Sequence, residues 1–155
     1  MNLSKKSKEI QIQSSFLNWY KKNKRNLPWR KLQNNKLPNP YNVFISEYML
    51  QQTTVATVKT RFVEFISKWP SIDNLASISN ATILSFWSGL GYYSRATNLL
   101  KAAKIIKKNF NSKIPNMYED LLLLPGVGDY TAKAVLGIAY NKPVMPLDAN
   151  IERIL

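Results

Sequence analysis

A chain of 155 residues with 45% apolar side chains is long enough and apolar enough to bury one core. It carries 22 Lys and Arg against 9 Asp and Glu, a net charge of +13, with neither Cys nor His. This excludes disulfides, Cys/His metal sites, thiol catalysis and Ser-His-Asp triads, and it leaves acid-base chemistry to carboxylates, lysines and tyrosines.

In chain order the pattern predicts helices throughout. Residues 5–23 place Ile10, Phe16, Leu17 and Tyr20 at helical spacings among basic residues. "NLPWRKLQNNKLPNP" reads as a loop, with three prolines and four asparagines. Asn39 then suits an N-cap and Pro40 the first position of a helix over about 40–52. Further helices are predicted at 53–68, briefly within "WPSIDNLASIS", at 80–87, 92–109 and 117–123, and from about Asp129 onward. "DANIERIL" reads as the first two turns of another helix, with Asp148 in an N-cap position. No strand signal of length and no repeat occurs, so an all-α domain is expected.

The basic residues are uneven: positions 1–36 hold ten of them against Glu9 alone. Such an excess points to a polyanion, nucleic acid ahead of an anionic membrane surface, although a solvated basic tail would look the same. No apolar run reaches the roughly 18 residues of a membrane span, and the N-terminus lacks a signal-peptide core. A soluble intracellular protein is expected.

Two stretches carry chemistry. In "VFISEYMLQQTT", Glu47 is the single charge in an apolar neighbourhood. A carboxyl desolvated in this way holds its proton toward neutral pH and suits a general acid. In "LLLLPGVGDYTAKAV", a Gly-rich turn joins two helices. Its glycines permit positive φ and leave N–H groups uncovered beside a helix N-terminus, which suits one phosphate of a nucleic-acid backbone. Val127 would pin the two helices together. The full "LPGVGxxTA" frame in a basic chain reads as a helix-hairpin-helix at about 117–140.

These stretches, with "LPWR", "PYNVFISEYMLQQTTVATV", "WSGLGYYSRATNL" and "LDANIERIL", closely resemble MutY-type adenine DNA glycosylases of the helix-hairpin-helix/endonuclease III superfamily. The resemblance begins near residue 12 and covers nearly all of the chain. It implies an all-α glycosylase fold that removes adenine mispaired with 8-oxoguanine or guanine from double-stranded DNA, in the bacterial cytoplasm at the nucleoid. It implies that Glu47 protonates the adenine, that Asp148 stabilises the sugar cation, and that Arg25, Leu27, Trp29, Arg30 and Leu50 form the adenine pocket. Gln52 would wedge into the duplex and Tyr92 would stack beside the oxidised guanine. Gln51, Thr53, Leu124, Pro125, Gly126, Val127, Gly128 and Thr131 would complete the DNA contacts. Core packing for Tyr92 and Trp29 and phosphate binding for Arg30 stay open as alternatives. Bifunctional relatives carry a Schiff-base lysine at the seventh position of the "LPGVG" frame. Tyr130 holds that place here and Lys133 lies three residues on, so a monofunctional enzyme is expected.

The sequence departs from the family at Ala149, where the family has Gly. The family's 4Fe–4S cysteines and its 8-oxoguanine-reading domain are absent, so no cluster is expected here. The division expected is a basic helix at 1–26, a helical domain at 27–146, and at 147–155 the start of a second subdomain. A C-terminal half acting in trans is one possible complement. A non-catalytic helix-hairpin-helix DNA-binding fragment is the alternative function, and endonuclease III-like incision a more distant one.

Overall fold

Most helices begin where a short polar side chain can take the first free amides. The computed structural model describes residues 3–34 and 36–153. Its helices are α1 (Leu3–Asn23), α2 (Pro40–Leu50), α3 (Val55–Lys68), α4 (Ile72–Ala76), α5 (Asn80–Trp87), α6 (Ser94–Asn109), α7 (Tyr118–Leu122), α8 (Asp129–Tyr140) and α9 (Ala149–Glu152), with a 3-10 turn at Pro28–Arg30. Asn39 caps α2, its Oδ1 accepting from the amides of Tyr41 at 2.8 Å and Asn42 at 3.4 Å. Thr54, Ser71 and Ser79 cap α3, α4 and α5 in the same way. Among the described residues, extended pairing amounts to one isolated bridge between Leu32 and Pro38.

Helix α2 forms the axis of the fold. Residues from Val43 to Met49 are all buried, so the helix has no solvent face. A helix that is apolar all round must be covered all round. Here α3, α6, α8 and the 3-10 turn cover it. Phe65, Trp69 and Phe86 interlock edge to face, with centroids 4.9–5.5 Å apart, and tie α3 to α5. Trp29 meets Phe62 edge-on at 5.3 Å and anchors the 3-10 turn to α3. Trp29 is thus a core residue that also lines a cleft.

Helix α1 differs from the rest. Ile10, Ile12, Phe16, Leu17, Trp19 and Tyr20 are all exposed along it. No helix among the described residues is long and apolar enough to cross a membrane.

Several boundaries depart by a residue or two from the sequence-based expectation, two of them at left-handed bends. Helix α2 ends at Leu50 rather than 52, and α6 starts at Ser94 rather than 92. At both places a non-glycine residue turns left-handed, Gln52 at φ 55° and Tyr92 at φ 45°.

Candidate active site and nucleic-acid interface

Glu47 lies three residues before the end of α2, and its side chain reaches a cleft of about 420 Å³. Leu50 shares that helix. Arg25, Leu27, Trp29 and Arg30 reach the cleft from the loop before α2, Gln51, Thr53 and Val55 from beyond it, Tyr130 from α8, and Asp148 from the N-terminus of α9. All the residues expected to form the adenine pocket therefore line one cavity with both expected catalytic carboxylates. Among the described residues, clefts of about 490 and 550 Å³ are larger, but neither contains a buried carboxylate. Glu64 in the first is partly exposed and paired to Arg61 at 3.0 Å.

Glu47 is only 6% exposed. Burial raises its pKa from 4.5 to about 7, with Arg30 opposing the rise. The carboxyl can therefore hold a proton near neutral pH. The Tyr130 phenol is also raised, by burial first and then by the Glu47 and Asp148 carboxylates, again with Arg30 opposing. Glu47, Asp148, Tyr130 and Arg30 thus share one electrostatic environment. Asp148 also shapes the backbone, because its Oδ1 accepts from the amide of Ile151 at 2.8 Å and caps α9. Ala149 opens that right-handed helix, so the position makes no demand for positive φ.

The Gly-rich turn packs tightly against α2. Leu124 and Val127 are buried, and Thr131 is buried on the first turn of α8. The Val127 amide donates to Leu124 O at 3.1 Å. Tyr48 Oη donates to Pro125 O, and Gln51 Nε2 donates to Gly126 O at 3.1 Å. The two glycines differ. Gly126 sits at φ +83°, with Tyr48 and Asn98 against the place a Cβ would occupy. Gly128 is extended at φ −99° and faces open space. It precedes the first turn of α8, which has no side-chain cap, so the positive end of that helix's dipole lies at this turn. Asp129, beside that turn, is occupied by Lys133 at 2.8 Å and the Tyr118 hydroxyl at 2.7 Å. Those two partners hold its carboxyl below the usual range.

Gln52 and Tyr92 are both exposed, each at the tip of a left-handed bend. Sequence reasoning passed over the residue between them, Arg95. Its guanidinium is buried and donates to main-chain carbonyls on both bends. Arg95 lies on the inward stripe of α6 with Leu99, Ala103 and Ile106, and a lone cation on an apolar stripe was the signal available.

The sequence pattern of HhH-GPD superfamily base excision DNA repair proteins matches residues 45–155. The chain belongs to this superfamily. Among curated HhH-GPD relatives, the adenine DNA glycosylase of Buchnera aphidicola subsp. Baizongia pistaciae is 45% identical over 91% of this chain and 39% of its own length. That of Mus musculus is 42% identical over 93% of this chain and 29% of its own. That of Mycobacterium tuberculosis is 37% identical over 92% and 45%. The chain thus spans less than half the length of these relatives. A thermostable thymine-DNA glycosylase superposes with a TM-score of 0.85, at 27% identity, over 99% of this chain and 68% of its own. An endonuclease III in complex with DNA superposes at 0.76 over 93% and 65%, and at 22% identity it shares the HhH-GPD fold.

A 4Fe–4S cluster needs thiolate ligands. The sequence has no Cys, and the described residues hold no group of three His, Cys, Asp or Glu side chains able to bind a metal. These residues do not fit a cluster.

Proposed function

We propose that the protein hydrolyses the N-glycosidic bond of adenine mispaired with 8-oxoguanine or guanine in duplex DNA. The observation that carries this reading is Glu47, a buried carboxyl whose pKa burial raises to about 7, in a cleft that Asp148 also lines. The adenine must leave the stack to reach it. Leu27, Trp29 and Leu50 offer it apolar contact, and Arg25 and Arg30 offer donors.

Glu47 gives its proton to the adenine ring at N7. The C1′–N9 bond breaks and its electron pair leaves with the base. The sugar cation that remains is stabilised by the Asp148 carboxylate. Water adds to C1′ and its proton returns to Glu47, so the net change is hydrolysis. Tyr130 stands where a Schiff-base lysine would be needed for strand cleavage. Lys133 is not among the residues lining the cleft and is occupied with Asp129. Gln52 and Tyr92 enter the duplex as the base departs, and the turn at Pro125–Gly128 holds a phosphate. In this reading residues 27–146 form one subdomain, 147–155 open the second, and the protein works at the nucleoid.

A duplex with a single adenine opposite 8-oxoguanine tests the reading. Alkali-labile abasic sites without direct strand breaks are the expected products. Breaks before alkali would indicate lyase chemistry, and binding without base loss would favour the non-catalytic module. Affinity for any duplex should fall linearly with salt on logarithmic axes, by about 0.9 of slope per phosphate contacted. A slope near zero in a fluorescence-anisotropy titration would remove phosphate contacts from the account.

A further inference from the structure

The two exposed bends belong to segments about 40 residues apart in sequence, and one side chain ties them together. Arg95 Nη1 donates to Met49 O at 2.9 Å and Tyr48 O at 3.2 Å, and also to Gln51 O. Its Nη2 donates to Leu90 O at 2.8 Å and Gly91 O at 3.1 Å, and Nε reaches Tyr92 O at 3.4 Å. The guanidinium also lies 5.7 Å from the centre of the Tyr92 ring. One nitrogen serves the end of α2 just before Gln52, and the other two serve the bend that carries Tyr92.

Among the described residues no carboxylate pairs with this buried cation. Its charge is met by carbonyl dipoles, three of them at the C-terminal end of α2, where a helix favours a cation. The cost of burying the charge is offset only while both bends keep their carbonyls in place. Each bend also puts a non-glycine residue into the left-handed region, which the chain adopts only when its surroundings enforce it.

We propose that Arg95 is a positioning residue that fixes Gln52 and Tyr92 as a single two-pronged wedge, so that the two side chains enter the duplex in register. The inference rests on the base-extrusion reading above. It assigns the coupling to the fork geometry of the guanidinium, whose nitrogens point in different directions from one rigid plane. A lysine presents three donors from a single atom and cannot reach both bends at once.

The test uses the chain with Arg95→Lys, made both alone and in a Gln52→Ala/Tyr92→Ala background. The probe is a duplex with 2-aminopurine, a fluorescent adenine analogue, opposite guanine. Arg95→Lys alone should reduce the fluorescence rise on binding about tenfold, a coupling typical of groups in one hydrogen-bond network. Affinity for a fully matched duplex should change less than threefold, on the order of the sub-kilocalorie scatter of independent sites. In the doubly substituted background Arg95→Lys should cause no further loss. Equal losses in both backgrounds, or a fall in matched-duplex affinity parallel to the fluorescence loss, would overturn the inference and leave extrusion intact. No fluorescence rise with the unsubstituted chain would overturn the extrusion reading and this inference with it. If Arg95→Lys does not fold, hydrogen exchange on the unsubstituted chain decides. Amides at 51–53 and 90–93 should open together as one unit, and independent opening rates would overturn the coupling.

Discussion

Glu47→Gln lowers the rate of adenine release by about 10²–10⁴-fold, the range that general acid-base catalysis supplies, while duplex affinity stays within a few fold. The amide keeps the shape of the carboxyl but cannot give up a proton. Single-turnover kinetics with an A:8-oxoguanine duplex measure the first quantity and anisotropy the second. A variant that retained most of the activity would remove Glu47 as the acid. In the unsubstituted protein, release should slow as pH rises above about 7, because the proton to be donated is then lost. The same proton links to stability. The carboxyl's folded pKa lies above its ordinary 4.5. Its contribution to stability is therefore complete below pH 4.5 and is lost as pH rises through about 7. Glu47→Gln should thus be more stable than its parent at pH 8, by on the order of 2 kcal/mol, with the gap closing toward pH 4.5. Thermal melts at the two pH values check this, and a gap that widened on acidification would contradict the burial argument.

Gly126→Ala and Gly128→Ala should separate sharply, although the two glycines stand two positions apart. A Cβ at Gly126 would lie 3.0 Å from the Tyr48 ring and 3.1 Å from Asn98 Cβ, on a backbone at φ +83°. The left-handed backbone alone costs roughly 1–2 kcal/mol. Displacing a buried Tyr48 ring that bonds to Pro125 adds to this, for a total of about 2–4 kcal/mol in thermal unfolding. Gly128 has right-side backbone angles and nothing within 4 Å of a Cβ, so its alanine variant should melt with the parent. Gly128→Glu should also fold, but it places a negative charge beside the uncapped first turn of α8. Matched and mispaired duplexes should lose affinity alike, by about tenfold or more, because a phosphate contact carries no base information. Loss of the mismatch preference alone would move the turn away from phosphate.

The helices were legible because their signals are local. A cap such as Asn39 acts on amides two and three residues ahead, and Pro40 fixes its own φ. The role of Asp148 at the start of α9 was legible for the same reason. Glu47 was visible as a lone charge in an apolar run, yet its raised pKa arises from helices that arrive from distant parts of the chain to bury α2. Nothing in "LPGVGD" distinguishes the glycine that must turn left-handed from the one that is extended. The packing of Tyr48 and Asn98 against Gly126 decides it. Gln52 and Tyr92 have no intrinsic preference for positive φ, so helices were expected to run on to 52 and to begin at 92. Instead α2 ends at Leu50 and α6 begins at Ser94, and the Arg95 guanidinium bonds to carbonyls on both sides. Interactions spanning about four residues can be read along a sequence. Those spanning forty to eighty, such as Arg95 with Met49 or Gln51 with Gly126, exist only once the core has brought their segments together.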